Sequence, residues 1–156
     1  MRAIGVRATA TEIFYSVIEG STEKPEVLHF QKLIFPKAFT IAQALIWLRE
    51  QFINICAEYD VKAVFVRTAE TIGKQNLKSV ADRARVEGVI IEAAASTGAA
   101  VGTGPLKTIS SLIGAKSAKT YLDNDEFRGI DNWESLNDKF REASIAGVAA
   151  LSLMEE

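Results

Sequence analysis

Two carboxylates near the carboxyl end of the chain have a spacing that is suited to chemistry. Asp138 and Glu142 are four residues apart, so on a helix their side chains share one face. Together with a third acid such as Glu70, they would supply the carboxylate oxygens that Mg²⁺ prefers. The same pair is also typical of a solvated helix start, where the helix dipole favours acidic side chains. The spacing therefore leaves a metal site and a solvated helix end both open.

Other residue types that carry chemistry are few and isolated. His29 is the only histidine and Cys56 the only cysteine, so the sequence provides no His/Cys ligand set for a transition metal. The chain has no Gly-x-Ser-x-Gly and no Gly-x-x-x-x-Gly-Lys segment, the signatures of a hydrolase nucleophile and of a phosphate loop. A single cysteine in an apolar helical pattern predicts an inert, buried thiol and a cytoplasmic protein.

Charge is distributed unevenly along a chain whose net charge is only −2. Residues 62–119 carry nine basic and four acidic side chains, whereas residues 120–156 carry three basic and nine acidic ones. The basic stretch indicates either a surface for an anionic partner or an ordinary solvated face. No segment approaches the ~20 apolar residues of a membrane span, and none resembles a signal peptide, so we expect no membrane association.

Apolar periodicity predicts the elements that must position these residues. The 156 residues fit a single domain, 1–156. Apolar runs predict strands near residues 2–7, 12–19, 29–34, 61–66 and 99–103. Helical spacing predicts helices over residues 41–58, 76–96, 105–113, 117–122 and 136–154, with an exposed acidic turn region at 123–132. This order predicts an α/β fold, in which helices flank a mixed sheet with a three-stranded antiparallel meander and parallel strands.

Two helical features call for an explanation from packing. Gly88 lies inside the second long helix, where glycine costs about 1 kcal/mol relative to alanine, so we expect a packing reason for it. The last helix is rich in small residues, among them Ala146, Gly147 and Ala150. That composition indicates either tight packing on the protein's own sheet or a seam of a homodimer.

A block in the middle of the chain resembles a known family. Residues 76–119 are similar to the central part of RuvC-type Holliday-junction resolvases of the RNase H-like superfamily, and Ile4-Gly5-Val6 and residues 63–66 resemble the family's first and fourth strands. The matching positions in the block are Asn76, Arg85, Gly88, Val89, Pro105, Lys107, Gly114, Ala118 and Lys119. The resemblance implies an RNase H-like fold over nearly the whole chain.

The same resemblance implies a degenerate active site. RuvC-type enzymes hydrolyse phosphodiesters with two Mg²⁺ ions held by one acid on the first strand, one on the fourth and two on the last helix. In this sequence those positions fall on Arg7, Arg67, Glu142 and Ile145. A guanidinium ion cannot bind Mg²⁺ and repels it, so we expect neither a catalytic residue nor a metal ion.

Basic residues at the former acid positions suggest two alternatives. Arg7 and Arg67 either bind a phosphate or carboxylate, or fill the site by pairing with Glu142, Glu70 or Asp138. The resemblance also places Lys107, Lys116 and Lys119 where resolvases contact the DNA backbone. With Lys74, Lys78, Arg83 and Arg85 these lysines form either a basic surface or ordinary helix-surface charges.

Three functional hypotheses follow. The first is an inactive RuvC-like protein that acts by binding DNA, RNA or a protein partner and needs no cofactor. The second is a metal-dependent nuclease with displaced carboxylates, which would need Mg²⁺ bound by residues such as Glu70, Asp138 and Glu142. The third is a structural or assembly module, which would form a homodimer through the small residues of the last helix.

Overall fold

A five-stranded mixed sheet forms the centre of the molecule. The computed structural model describes residues 1–70 and 76–155. The strands are β1 (Arg2–Ala8), β2 (Glu12–Gly20), β3 (Pro25–Ile34), β4 (Val61–Arg67) and β5 (Ala100–Gly104). The helices are α1 (Ile41–Glu58), α2 (Leu77–Ser96), α3 (Leu106–Leu112), α4 (Lys119–Leu122) and α5 (Asp138–Ser152), with a 3₁₀ helix at Trp133–Ser135.

The strand order is β3-β2-β1-β4-β5. Strands β1, β2 and β3 pair antiparallel as a meander, whereas β1 pairs parallel with β4, and β4 parallel with β5. This arrangement confirms the predicted mixed sheet of RNase H-like type. It also places β1 and β4 side by side near the middle of the sheet, with their carboxyl ends at the same edge.

The two faces of the sheet bury separate apolar cores, because alternate residues of each strand point to opposite sides. On one face, side chains such as Ile4, Val6 and Val64 pack with the buried sides of α1 and α2. On the other face, Ala3, Phe65 and their neighbours pack with α3 and α5. The predicted helix ranges 41–58 and 76–96 match α1 and α2 closely, because a capping residue marks the start of each helix: Thr40 for α1 and Asn76 for α2.

Helix α5 lies unusually close to the sheet, and Gly5 makes that approach possible. A Cβ atom on Gly5 would lie 1.8 Å from the Ala143 carbonyl oxygen and 2.1 Å from the Gly147 amide nitrogen. A Cβ on Gly147 would in turn lie 2.3 Å from the Ile18 side chain. The small residues of α5 are therefore used in packing on the protein's own sheet, and of the two interpretations of this stripe the structure supports that one.

The segment between α4 and α5 matches its prediction only in part. The acids of the predicted exposed turn region, residues 123–132, are exposed, but Phe127 is 0% exposed and Ile130 only 6%. The backbone of the segment is held by Arg141 of α5, whose guanidinium donates to the carbonyls of Leu122, Trp133 and Glu134 at 2.7, 3.2 and 3.2 Å. The acidic residues dominate the local composition, so they obscure the two apolar residues that anchor the segment.

Three local features either match or depart from their predictions. Strand β3 begins at Pro25, four residues before its predicted start at His29. The prediction of a packing reason for Gly88 is wrong within the described residues, because a Cβ added there meets no atom within 4 Å. Cys56 is 3% exposed, and burial raises the pKa of its thiol to about 12, as expected of an inert thiol.

None of the helices in the described ranges is both long and apolar enough to cross a membrane.

Candidate functional site

Two arginines stand next to each other at the carboxyl ends of the central strands. Arg7 is the penultimate residue of β1 and Arg67 the last residue of β4, and the two are direct partners in the parallel pairing. The carboxyl end of a parallel sheet is the usual ligand crevice of open α/β folds. The prediction that both guanidinium groups lie at this edge of the sheet is confirmed.

Glu142 of α5 lies between the two arginines. Arg7 Nε donates to Glu142 Oε2 at 3.1 Å, and Arg67 Nε lies 3.0 Å from Glu142 Oε1. The side chain of Glu142 is only 11% exposed, so both ion pairs are largely removed from water. Asn137 sets the position of this carboxylate, because its side chain accepts from the Phe140 amide at 2.9 Å and so begins α5 one turn earlier.

The ion pair between Arg67 and Glu142 is an electrostatic contact that lacks a well-aligned hydrogen bond. Arg67 Nε is buried and has no hydrogen-bond acceptor in the part of the chain that the structure describes, in spite of its 3.0 Å distance to Glu142 Oε1. The other nitrogens of Arg67 do have acceptors, the carbonyl of Thr68 at 3.0 Å and Glu70 Oε1 at 3.2 Å. Burial lowers the pKa of Arg67, Glu142 opposes that shift, and the charge of Arg7 adds to it. An arginine nevertheless keeps its charge in proteins.

A second buried ion pair lies on the α2 side of these residues. Arg83 Nε donates to Glu87 Oε2 at 3.0 Å, and Arg83 Nη2 donates to the Arg67 carbonyl at 2.9 Å. The side chains of Arg83 and Glu87 are 11% and 8% exposed. Burial raises the pKa of Glu87, against the effect of Arg83, and burial and the charge of Arg7 lower the pKa of Arg83. We call Arg7, Arg67, Arg83, Glu87 and Glu142 the arginine–glutamate network.

Sequence reasoning missed two of the five residues of this network. The sequence predicts that Arg83 belongs either to a basic surface or to the ordinary surface charges of the helix, but its side chain is only 11% exposed. The sequence pattern does not single out Glu87. The available signal was their four-residue spacing together with the position of Glu87 between the buried residues Val86 and Ile90 of α2. The other predicted surface residues of α2, Lys78 and Arg85, both pair with Asp82 at 2.7 and 3.4 Å. Lys74 lies outside the described residues.

A cleft of about 860 Å³ opens beside Arg67 and Glu142. Its walls include the carboxyl side of β4, helices α3 and α4, and the start of α5. All three predicted lysines line this cleft and are exposed, and the acids Glu70 and Asp138 line it as well. We call it the lysine cleft, defined by Arg67, Glu70, Lys107, Lys116, Lys119, Asp138 and Glu142.

Of the other predicted positions, Ile145 and Arg7 lie outside this cleft, and Glu70 connects two of its walls. Ile145 is 0% exposed and packs in the core beneath α5, so it cannot contact a ligand there. Arg7 lines a separate cavity on the other side of the network. Glu70 Oε1 accepts from the Leu106 amide at 2.9 Å, which ties the loop after β4 to the start of α3.

The site does not fit a magnesium ion. Within residues 1–70 and 76–155, no group of three His, Cys, Asp or Glu side chains is close enough together to hold a metal. Both oxygens of Glu142 face guanidinium groups, which occupy the positions that cations would take. Mg²⁺ needs hard oxygen ligands in near-octahedral geometry, and two fixed positive charges at this distance disfavour a further cation.

Comparisons with known proteins identify the fold. No protein-family model matches the chain, and no curated protein sequence matches it. Two RuvC structures from Thermus thermophilus are similar to it: one in complex with a Holliday junction substrate, with a TM-score of 0.74 and 13% identity, and one with a TM-score of 0.71 and 17% identity. In each case 99% of this chain and 95% of the other are covered.

A yeast mitochondrial Holliday junction resolvase is similar at a TM-score of 0.60 and 7% identity, with 96% of this chain and 77% of that one covered. The described elements and these likenesses agree on topology from β1 to α5. The chain is thus a protein of RuvC-like RNase H fold.

Proposed function

We propose that the chain binds nucleic acid along the lysine cleft and does not hydrolyse it by metal catalysis. The observation that carries the proposal is the bridge Arg7–Glu142–Arg67 at the carboxyl ends of β1 and β4. In this fold the equivalent edge would have to supply several free carboxylates for a two-metal mechanism. Here the one carboxylate at the centre of the edge is neutralised by two guanidinium groups.

The energetics of the bridge support the absence of metal chemistry. A divalent cation would have to displace at least one buried arginine from Glu142, and that arginine would then remain buried without its partner. Breaking a buried ion pair in this way costs roughly 3–5 kcal/mol. The remaining acids that line the cleft are Glu70, Asp123 and Asp138. Glu70 already accepts from Arg67 and from the Leu106 amide, and the part of the chain that the structure describes gathers no three acids into a metal-binding group.

The rim of the lysine cleft supports the binding part of the proposal. Inside the cleft the charges of Arg67, Glu70 and Glu142 sum to −1, so attraction for an anion must come from the rim. Three exposed lysines stand there against two acids, Asp123 and Asp138. Lysines provide phosphate contacts that position a backbone without reading sequence. A RuvC of the same fold is known in complex with a Holliday junction substrate.

A salt titration tests the binding proposal. Fluorescence anisotropy with labelled four-way, duplex and single-stranded DNA, each repeated with RNA, gives the affinity at several salt concentrations. Three lysine–phosphate contacts predict a slope of log K against log[salt] of about −2 to −3. The variant Lys107→Gln/Lys116→Gln/Lys119→Gln should bring that slope close to zero, since each lysine that no longer pairs with a phosphate reduces its magnitude by roughly one.

A matched triple variant controls for net charge. Lys24→Gln/Lys37→Gln/Lys62→Gln removes the same charge from exposed lysines outside the cleft and should leave the slope nearly unchanged. Equal effects of the two triple variants would show that only net charge matters and would overturn the assignment of the cleft. Absence of measurable binding to every nucleic acid would overturn the proposal itself.

One observation favours a second candidate function, a nuclease with displaced ligands. Glu70, Asp138 and Glu142 line the same cleft, although the structure does not gather them into a metal-binding group among the residues it describes. This alternative requires Mg²⁺- or Mn²⁺-dependent cleavage that is lost in Asp138→Asn. Asp138 is exposed, so the substitution should leave the fold intact and report on chemistry alone.

A further inference from the structure

A second cavity lies on the opposite side of the arginine–glutamate network from the lysine cleft. It has a volume of about 510 Å³, is open to solvent, and is lined by the β1–β2 turn, the residue Ala69 after β4, and the first two turns of α2. Its described lining contains two arginines, Arg7 and Arg83, and hydroxyl groups from Thr9, Thr11 and Ser79. None of the described residues that line it is acidic.

The two arginines bring unused hydrogen-bond donors to this cavity. Arg7 uses Nε for Glu142 and Nη1 for the Ala8 carbonyl, and Arg83 uses Nε for Glu87 and Nη2 for the Arg67 carbonyl. Arg7 Nη2 and Arg83 Nη1 donate no hydrogen bond to any residue that the structure describes. Both side chains are largely buried, at 16% and 11% exposed, so their geometry is fixed by packing.

The charges of the network are not balanced on this side. The three arginines of the network are matched by three carboxylates, because Glu70 pairs with Arg67 in addition to Glu87 and Glu142. None of these carboxylates lines the cavity, however, whereas Arg7 and Arg83 do. Glu70 lines the lysine cleft and not this cavity. Arg7 and Arg83 carry like charges and therefore repel each other, and burial together with the charge of Arg7 lowers the pKa of Arg83. An anion between them would relieve that repulsion and satisfy both open donors.

The amino end of α2 contributes little to this site. The Asn76 side chain already accepts from the amides of Lys78 and Ser79, at 2.9 and 3.3 Å. Those amides are therefore not open to a ligand, and the Thr9 hydroxyl already donates to the Glu12 carbonyl at 3.4 Å. The donors must come from the arginines and from the hydroxyl groups of Thr11 and Ser79. Arginine forks match the geometry of phosphate oxygens, and hydroxyl groups complete such sites.

We propose that the cavity between Arg7 and Arg83 binds one phosphate group. Its size fits a phosphorylated molecule larger than inorganic phosphate, since small-molecule sites commonly occupy about 300–1,000 Å³. The phosphate comes either from the end of a nucleic-acid strand or from a small phosphorylated metabolite such as a mononucleotide. The site stands whether or not the lysine cleft binds nucleic acid, because the two share no lining residue among those described.

Inorganic phosphate is the first probe of this site. Isothermal titration calorimetry and thermal unfolding of the full chain should show saturable binding of phosphate and a rise in Tm that sodium chloride at matched ionic strength does not give. Ser79→Glu and Thr11→Glu place a carboxylate on opposite walls of the cavity, at exposed positions that tolerate it. Each should weaken phosphate binding by about tenfold or more through charge repulsion.

A variant of the same helix provides the matched control. Ala81→Glu adds the same charge to α2 at an exposed position that does not line the cavity, and it should leave phosphate affinity nearly unchanged. The absence of saturable phosphate binding would overturn the proposal, and so would unchanged affinity in both wall variants. Equal weakening by Ala81→Glu would also overturn it, because the effect would then be one of net charge.

Two further ligands distinguish the sources of the phosphate. If the site holds a strand end, a 5′-phosphorylated oligonucleotide should bind more tightly than its 5′-hydroxyl counterpart, and Ser79→Glu should abolish that difference. If the site holds a small metabolite, a mononucleotide should compete with inorganic phosphate while the two oligonucleotides bind equally. The triple lysine variant of the cleft should leave phosphate binding unaffected, so failure here and failure of the lysine cleft are separate results.

Discussion

At the scale of residues, Glu142 is the centre of the site because it joins three elements. It belongs to α5 and pairs with Arg7 of β1 and Arg67 of β4. The sequence and the resemblance placed Arg7, Arg67 and Glu142 at one edge, because each lies at a recognisable point of a strand or helix. The sequence and the resemblance could not decide whether the two arginines pair with Glu142 or bind an external anion. That choice depends on side-chain positions, which the sequence does not determine.

Replacing Glu142 tests the structural part of this bridge. Glu142→Gln leaves two buried guanidinium groups facing a neutral amide, so the free energy of unfolding should fall by about 3–5 kcal/mol. Denaturation by urea, followed by circular dichroism, measures the change. Glu50→Gln provides the control, because Glu50 is exposed on α1 and its loss should change stability by less than about 0.5 kcal/mol. A decrease of less than about 1 kcal/mol for Glu142→Gln would contradict the bridge.

The residues that sequence reasoning missed share one property. Arg83 and Glu87 have the four-residue spacing of an ordinary surface pair on a helix, and a buried pair has the same spacing. Only the packing of α2 against β1 and β4 shows that this side of the helix faces inward. The position of Glu87 between Val86 and Ile90 was a weak signal of burial, and it identifies the pair only when the neighbouring elements are in place.

At the scale of elements, the close approach of α5 to the sheet determines which side chains meet at the carboxyl ends of β1 and β4. The contact of Gly5 with the α5 backbone sets the depth of the helix and thereby the position of Glu142 relative to Arg7 and Arg67. The sequence predicted α1, α2 and α5 well because their apolar periodicity is long and regular. It was less accurate for β3 and for the segment 123–132, where a few apolar anchors are surrounded by polar residues.

Two glycine substitutions test this packing, one expected to lower the free energy of unfolding and the other expected to raise it. In Gly5→Ala the new methyl group would overlap backbone atoms of α5, and backbone cannot move aside as a flexible side chain can. We expect a decrease of about 3 kcal/mol or more in the free energy of unfolding, or failure to fold. In Gly88→Ala the methyl group enters open space in a helix interior, so stability should rise by roughly 0.5–1 kcal/mol.

Thermal and urea denaturation of both glycine variants measure these changes. A neutral Gly5→Ala would show that α5 is not held against β1 as closely as the structure describes. A strongly destabilising Gly88→Ala would show that another backbone approaches α2 at this point, for example in a homodimer. The second outcome would connect the unexplained Gly88 with assembly, and light scattering on the same samples would detect it.

At the scale of the whole molecule, the RuvC-like fold extends over the entire chain, and its central edge carries the arginine–glutamate network. Likeness to a RuvC structure covers 99% of this chain, with a TM-score of 0.74. Two cavities flank the network, the lysine cleft on the side of α3 and α4 and the cavity between Arg7 and Arg83 on the side of α2. Basic side chains line both of them.

The central claim is that this edge binds nucleic acid and does not cleave it. The most direct measurement incubates the chain with labelled four-way and single-stranded DNA, at concentrations that saturate binding, with Mg²⁺ and with Mn²⁺, and resolves the products on denaturing gels. We predict bound but uncleaved DNA with either metal. Cleavage that requires the metal ion and disappears in Asp138→Asn would contradict the account and assign the cleft to a nuclease with displaced ligands.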